Sequence, residues 1–306
     1  MKRVFLGILW FFVFVMGVHA VHALTLDRTI RYTRVSFYSP NFPYILDGYK
    51  IAFVTDTHLM DDGQLMRIVD NLNEMDLDLL LLGGDFARRG GVWQRHLGIL
   101  SETITGDGVF GVEGNHDHGG ILREVAYNYG IGLLLNEGFH IQEGLFLAGV
   151  EDYWYGRPSF EDALKGALED DFVLFLSHNP DATMSNDTTG IDLVLSGHTH
   201  GGQLTFFGLY APALNPDRVT SYGQRFSHGF AYSYDGVPVF VSRGTGQVYP
   251  RVFSRPEVII LTLGFGEGVR YSVGLDFWNV IFWVIILCNL LFYFWVRFGM
   301  KNKENS

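Results

Sequence analysis

Cysteine is all but absent from this 306-residue chain, and the single copy, Cys288, excludes both a disulfide framework and a zinc–thiolate site. Basic residues are also scarce. With 22 Lys and Arg against 33 Asp and Glu the formal net charge is −11. An acidic surface argues against nonspecific binding to nucleic acid, whose phosphates attract basic faces, so no nucleic-acid partner is expected. The deficit leaves phosphate chemistry open, because bound cations can supply the positive field that the protein lacks. No low-complexity linker or internal repeat divides residues 50–265, which read as one domain large enough to bury a sizeable core.

Two apolar runs lie outside that domain. After Lys2 and Arg3, residues 4–18 carry no charge, and the apolar character continues to residue 26 apart from His19 and His22. The basic start and the small-residue end at Val21-His22-Ala23 suit a cleavable signal peptide. The total length would also span a bilayer, and the uncleaved anchor over 1–26 is the favoured reading. Residues 27–49 then read as a connecting segment. Near the other end, residues 277–296 hold no Asp, Glu, Lys, Arg or His, which matches one bilayer crossing ahead of a polar tail at 297–306. Lys2, Arg3, Arg297, Lys301 and Lys303 nearly balance Arg28, Arg31, Arg34 and Arg270 across those segments, so charge does not choose the membrane face that carries the domain.

Within the domain, apolar runs repeatedly break off at polar residues able to bind metal. Residues 50–56 read as a buried strand that ends on Asp56, with His58 two residues on; the same aspartate could instead cap the helix expected near 64–74. Residues 77–82 form a continuous apolar run, typical of a strand covered on both faces, and end in Gly83-Gly84-Asp85. After a helix over about 92–103, the strand 108–113 ends in Gly114-Asn115-His116-Asp117. That block offers a neutral carbonyl oxygen, a titratable imidazole and a carboxylate able to orient a neighbouring histidine. A helix over 121–129 and short strand-like runs near 132–135, 140–142 and 145–150 follow, then a helix over 159–168. The strand 172–176 delivers Ser177-His178, and the strand 191–195 leads into Gly197-His198-Thr199-His200-Gly201-Gly202. Paired imidazoles on a glycine turn suit a metal, although a polar hairpin tip would look alike. In α/β sheets ligands gather outside the carboxyl ends of strands, so five such ends in succession point to one site.

Taken in order, these D-x-H, G-D, G-N-H-[DE], H and G-H-x-H blocks resemble the calcineurin-like metallophosphoesterase superfamily, over roughly residues 50–262. The resemblance implies an α/β fold, a four-layer α-β-β-α sandwich, here with N- and C-terminal apolar helices, and a dinuclear metal centre. By that likeness Asp56, His58 and His200 hold one metal, Asn115, His178 and His198 the other, and Asp85 bridges them. By the same likeness His116 is no ligand but stabilises developing charge on the leaving group or protonates it, with Asp117 holding it in place. Mixed oxygen and nitrogen ligands favour two manganese ions, with iron or zinc as alternatives, over magnesium. Two departures from the family pattern stand out: Met60 replaces a common glycine, and Arg88 and Arg89 follow the G-D block. These arginines could grip a substrate phosphate or be solvated charges. His96, His118, His140 and His228 match no motif and read as surface or satisfied residues.

Residues 240–246 and 255–257 resemble a membrane-associated bacterial branch that includes exported phosphoesterases and the pyrophosphatases cleaving UDP-diacylglucosamine in lipid A synthesis. The expected activity is therefore hydrolysis of a phosphodiester or pyrophosphate of a lipid-linked substrate at the bacterial cytoplasmic membrane. The alternatives are an exported phosphoesterase acting on envelope polymers or small phosphoesters, and an inactive binding module of the same fold. The last would have lost ligands, and none is missing.

Overall fold

The computed structural model of the chain describes residues 2–86, 93–117, 121–214, 219–246 and 250–272, with six further helical positions between 284 and 291. After an apolar helix, α1 (Lys2–Leu24), the chain runs β1 (Arg31–Ser39), β2 (Tyr49–Val54), α2 (Asp62–Asn73), β3 (Leu79–Leu82), α3 (Trp93–Leu100), β4 (Val109–Gly111) and α4 (Leu122–Asn128). There follow β5 (Ile131–Leu133), β6 (Glu137–Gln142), β7 (Leu145–Gly149), α5 (Phe160–Ala163), β8 (Phe172–Leu176), α6 (Ala182–Ser185) and β9 (Leu193–Ser196). The chain then forms β10 (Gly229–Tyr232), β11 (Pro238–Val241), β12 (Glu257–Phe265) and β13 (Gly268–Ser272).

Among the described residues the strands make two sheets, one ordered β13-β1-β12-β2-β3-β4-β5 and the other β10-β11-β9-β8-β7-β6. The central strands are parallel, as their uninterrupted apolar sequences require: β2 to β5 run parallel in the first sheet, and β7, β8, β9 and β11 in the second. Such strands are covered on both faces, and β8 shows how. Phe172, Leu174 and Leu176 point into a core shared with Phe53, Leu79 and Leu81 of the other sheet. Val173 and Phe175 point the opposite way, toward Phe160 and Ala182 of the short helices. The first sheet is covered in turn by Leu65, Ile68, Leu72, Leu97 and Leu122 on α2, α3 and α4. The result is the expected four-layer α-β-β-α arrangement. Each fully buried Leu or Phe in it contributes about 1.5–3 kcal/mol.

Two expectations differ from the structure. The helix expected over 159–168 is a single turn, α5, capped at Ser159 by a bond from the Asp162 N–H, and Gly166 at φ +99 lies in a conformation no helix continues. Residues 27–49, read as a connecting segment, contribute β1, whose nine residues pair in parallel with β12. Its alternation of buried Thr33, Val35 and Phe37 with more exposed Arg34 and Ser36 is a strand pattern, but its partner lies more than 200 residues away. α1 is apolar over a length able to cross a membrane, a property shared by anchors and signal sequences. Of residues 277–296 only Val284, Ile286–Cys288, Leu290 and Leu291 are described; they are helical, and Ile286 packs against the small cluster of Val18 and Leu26 at the end of α1.

Candidate metal centre

Every candidate ligand leaves a strand at its carboxyl end. Asp56 and His58 follow β2, Asp85 follows β3, Asn115 and His116 follow β4, His178 follows β8, and His198 and His200 follow β9. The backbone there is contorted. Asp56, His58, Asp85, His198 and His200 have φ between 42 and 70, half of the ten non-glycine residues in the left-handed region among those described. Such conformations cost on the order of 1–3 kcal/mol each and persist where surrounding structure imposes them, as at functional sites. Glycines let the loops close on one another. A Cβ at Gly197 would stand 2.4 Å from an Asp56 oxygen, and one at Gly114 only 2.3 Å from Asp85 Oδ1.

The side chains converge in two adjoining groups. In the first, His58 Nε2 faces His200 Nε2 at 2.9 Å and Asp85 Oδ2 at 3.4 Å, while Asp56 Oδ1 stands 3.2 Å from His200 Nε2. The ligating atoms of these four residues all lie within 4.8 Å of one another. In the second, Asn115 Oδ1 is 2.8 Å from His198 Nδ1 and 3.3 Å from His178 Nε2, which in turn is 3.4 Å from Asp85 Oδ2. One oxygen of Asp85 is thus shared by both groups. The outer nitrogens of the second group are spoken for: His178 Nδ1 meets the Gly83 carbonyl at 2.7 Å and His198 Nε2 that of Val219 at 2.8 Å. Donation there leaves the inward nitrogen of neutral His198 with a free lone pair, the tautomer that a metal requires, and holds the His178 ring so that its inward nitrogen becomes a ligand on losing its proton.

Charge balance points the same way. Burial, reinforced by the imidazole of His200, drives His58 down to about 3, and burial with His178 drives His198 down to about 4, so both are neutral near pH 7. Burial would raise Asp56 and Asp85, but the surrounding imidazoles hold both carboxyls well below the usual carboxylate range. His178 moves oppositely: burial disfavours its charge, yet the Asp85 carboxylate outweighs this and raises it. The pocket therefore attracts positive charge. Two carboxylates, a carboxamide and four imidazoles turned inward, with His58 and His198 neutral, make a donor set that fits divalent cations.

His116 lines the same cleft, its ring 5.2 Å from that of His58 and its backbone N–H bonded to Asp85 Oδ1 at 2.8 Å. Asp117 was expected to hold this imidazole and does not. Its carboxylate accepts from the backbone N–H groups of Asp85, Phe86 and Gly114, while His116 Nδ1 is buried without a partner. Asp117 therefore fixes the loops that carry Asp85 and His116 rather than the ring. Arg88, Arg89 and His118 lie outside the described residues. His96 is satisfied by the Phe86 and Met60 carbonyls and Thr57 Oγ1, and His140 by Asp171. His228, expected to be satisfied, has a buried Nδ1 without a partner.

Other parts of the site carry no local signal in the sequence. Trp154 meets His198 edge-on at 4.5 Å and lines the cleft of about 430 Å³ together with Leu204, Leu214 and Val219. It is presented by a turn in which Asp152 Oδ1 accepts from the N–H groups of Trp154 and Tyr155, an aspartate turn after β7 whose sequence signal is one more carboxylate at a strand end. Residues 243–246 and 250–254 buttress the metal loops. Thr245 Oγ1 donates to the Thr55 carbonyl, Ser254 Oγ to the His200 carbonyl, and the fully buried Arg251 to the carbonyls of Gly246, Arg243 and Ser254.

Comparison with known proteins agrees with this geometry. The sequence profile of the calcineurin-like phosphoesterase family matches residues 49–202. The chain is 30% identical to the uncharacterized metallophosphoesterase YkuE of Bacillus subtilis, over 76% of this chain and 85% of that protein. It is 29% identical to the phosphodiesterase YaeI of Escherichia coli, over 75% and 86% respectively. A zebrafish transmembrane protein with a metallophosphoesterase domain is 28% identical over 72% of this chain, which spans only 54% of that protein.

Proposed function

Given that the chain belongs to the calcineurin-like phosphoesterase family and is a metal-dependent phosphoester hydrolase, we propose that it is a membrane-anchored enzyme cleaving a phosphodiester or pyrophosphate bond of a lipid-linked substrate. The observation that carries the hydrolytic part is the convergence of seven ligand side chains from five strand ends, with facing donor atoms 2.8–3.8 Å apart. Asp56, His58 and His200 would hold one cation, Asn115, His178 and His198 the second, with Asp85 between them. Two bound cations supply the charge that neutralises phosphoryl oxygens and acidifies water, and the mixed donors favour manganese, then iron or zinc.

The protein's own groups do the rest. The Gly83 and Val219 carbonyls fix the tautomers of His178 and His198, so no proton need leave those rings when substrate arrives. Asp117 ties the β3 and β4 loops together, which sets the distance from Asp85 to His116. His116, at the cleft rim, is placed to give a proton to the departing oxygen. Trp154 and the other apolar lining residues keep water from part of the cleft and favour a substrate with an apolar or aromatic portion.

The lipid-linked part rests on α1, whose apolar side chains are exposed and whose end lies beside the cleft loops. The zebrafish relative, by its name, likewise joins such a domain to a membrane protein. The test is full-length protein in detergent micelles with added Mn²⁺, assayed against bis-p-nitrophenyl phosphate, a phospholipid panel and UDP-diacylglucosamine. Metal-dependent turnover with preference for an amphiphile is expected. Turnover of the soluble diester alone would leave a phosphodiesterase without the lipid specificity.

A further inference from the structure

Between α1 and the cleft lies a tight turn whose composition does not suit water. Phe206 and Tyr210 close it through a backbone bond of 2.7 Å, with Phe207 at φ 52 and Gly208 at φ 73 as its central residues. That is the left-handed pair of a narrow hairpin tip, a conformation in which an aromatic residue is uncommon. The turn displays Leu209 at 85%, Tyr210 at 58% and Phe206 at 55% exposure. It is firmly seated rather than loose: Thr205 Oγ1 donates to the Val252 carbonyl and accepts from the Gly208 N–H.

Its neighbour is the last part of α1. The His19 ring lies 4.4 Å from that of Phe207, 5.3 Å from Phe206 and 4.9 Å from Phe253. His22 stacks on Phe253 at 3.9 Å and contacts the buried Asp27, whose carboxylate accepts from the Phe253 and Ser254 N–H groups. Ser254 in turn donates to the His200 carbonyl. The helix end, the aromatic turn and the metal loops are therefore one connected body. Residue 19 precedes the end of α1 at Leu24 by about 8 Å of helix rise. On the stretch before it Phe5, Ile8, Phe11, Phe12, Val13 and Met16 face outward.

We infer that the 206–210 turn dips into the leaflet at which α1 leaves the hydrocarbon, and that the cleft draws the phosphorylated head of its substrate from that same leaflet. This rests on the reading of α1 as a retained anchor. The bilayer is the occupant because the turn's apolar surface continues that of α1, and because the exposed Tyr210 beside it is a residue type favoured at the headgroup level. Leu204 and Leu214 extend the apolar path from the turn into the cleft, so acyl chains could stay in the leaflet while the phosphoryl group reaches the metal loops.

Full-length protein with Cys288→Ser and Leu209→Cys, labelled with NBD and reconstituted in phosphatidylcholine–phosphatidylglycerol vesicles, tests the contact. Ile45→Cys, 87% exposed and ahead of β2 at the end of the sheet away from the site, is the control. The position-209 probe should be blue-shifted and quenched at least threefold more than the control by a lipid with a nitroxide on its acyl chain. Equal quenching places the turn in water, and a blue shift without nitroxide quenching means that protein covers it; either result overturns the inference. Leu209→Ser/Tyr210→Ser should lower kcat/KM about tenfold on vesicle-embedded substrate and less than twofold on bis-p-nitrophenyl phosphate, whereas equal losses on both contradict it. Failure of the hydrolase reading shows separately, as inactivity of the unmutated enzyme on both substrates, and leaves the quenching comparison to decide the membrane contact.

Discussion

Two buried polar clusters, one around Glu257 and one around Asp85, are built on opposite rules. Around Glu257 the charges complete one another: its carboxylate accepts from Arg31 at 2.8 Å, Thr33 at 2.6 Å and Arg243 at 3.2 Å. Around Asp85 they do not. Donor atoms with lone pairs face donor atoms with lone pairs, the imidazoles of His58 and His198 are neutral, and the backbone is held in left-handed conformations. A cluster that closes on itself supports the fold, whereas one short of positive charge is made to receive it. The same chain thus separates structural from functional burial of charge, and substitutions should separate them too.

The largest effect is expected at Asp85, whose oxygen serves both halves of the site. Asp85→Asn should lower turnover by about four orders of magnitude, the several kcal/mol that paired cations supply, with both metals lost by elemental analysis while thermal unfolding of the metal-free protein changes little. Two retained metals and near-normal turnover would erase the distinction between the clusters. Next is Glu257→Ala, which leaves the half-buried Arg31 and Arg243 beside no carboxylate. Breaking a buried pair in this way costs about 3–5 kcal/mol, to be read as a lower denaturation midpoint with metal content at permissive temperature preserved.

His116→Ala should cost about a hundredfold in kcat, the scale of a lost general acid, with both metals retained and the defect shrinking for leaving groups that need no proton. Metal loss would instead move His116 into the ligand set. The smallest effect is on pH dependence. His58 and His198, depressed to about 3 and about 4, bind fewer protons folded than unfolded below their ordinary range, so metal-free protein should lose stability as pH falls below about 6.5. Glu257, which burial would raise but its two arginines hold near 2, contributes stability present above its ordinary pKa and lost as pH falls toward 2. Denaturation curves of the unmutated chain and Glu257→Gln should therefore converge only below about pH 4.5. Convergence already at pH 6 would mean that the two clusters are not independent.

The sequence and the structure agree where chemistry is local. Each ligand stands within a few residues of an apolar run, because a strand covered on both faces must turn polar when it leaves the sheet, and that break is visible in a single chain. The layers came from the family resemblance that those blocks carry. What escaped detection depends on distant partners. β1 is paired by β12 far along the chain, and its charged residues hide its alternation. Trp154 and Arg251 draw their roles from neighbours in space, His198 and the carbonyls of Gly246 and Arg243. Asp117 shows the limit of motif reading: its place beside His116 suggested a partner for the imidazole, whereas folding brings the Asp85 and Phe86 N–H groups within its reach.

The central claim, that the cluster around Asp85 exists to hold two cations, is tested most directly by metal stoichiometry in the unmutated chain. Protein stripped with a chelator and titrated with Mn²⁺ should bind two ions per chain, by elemental analysis after desalting, with hydrolysis of bis-p-nitrophenyl phosphate rising from baseline as the sites fill. Full hydrolytic activity in the stripped protein, or saturation at a single ion, would contradict it.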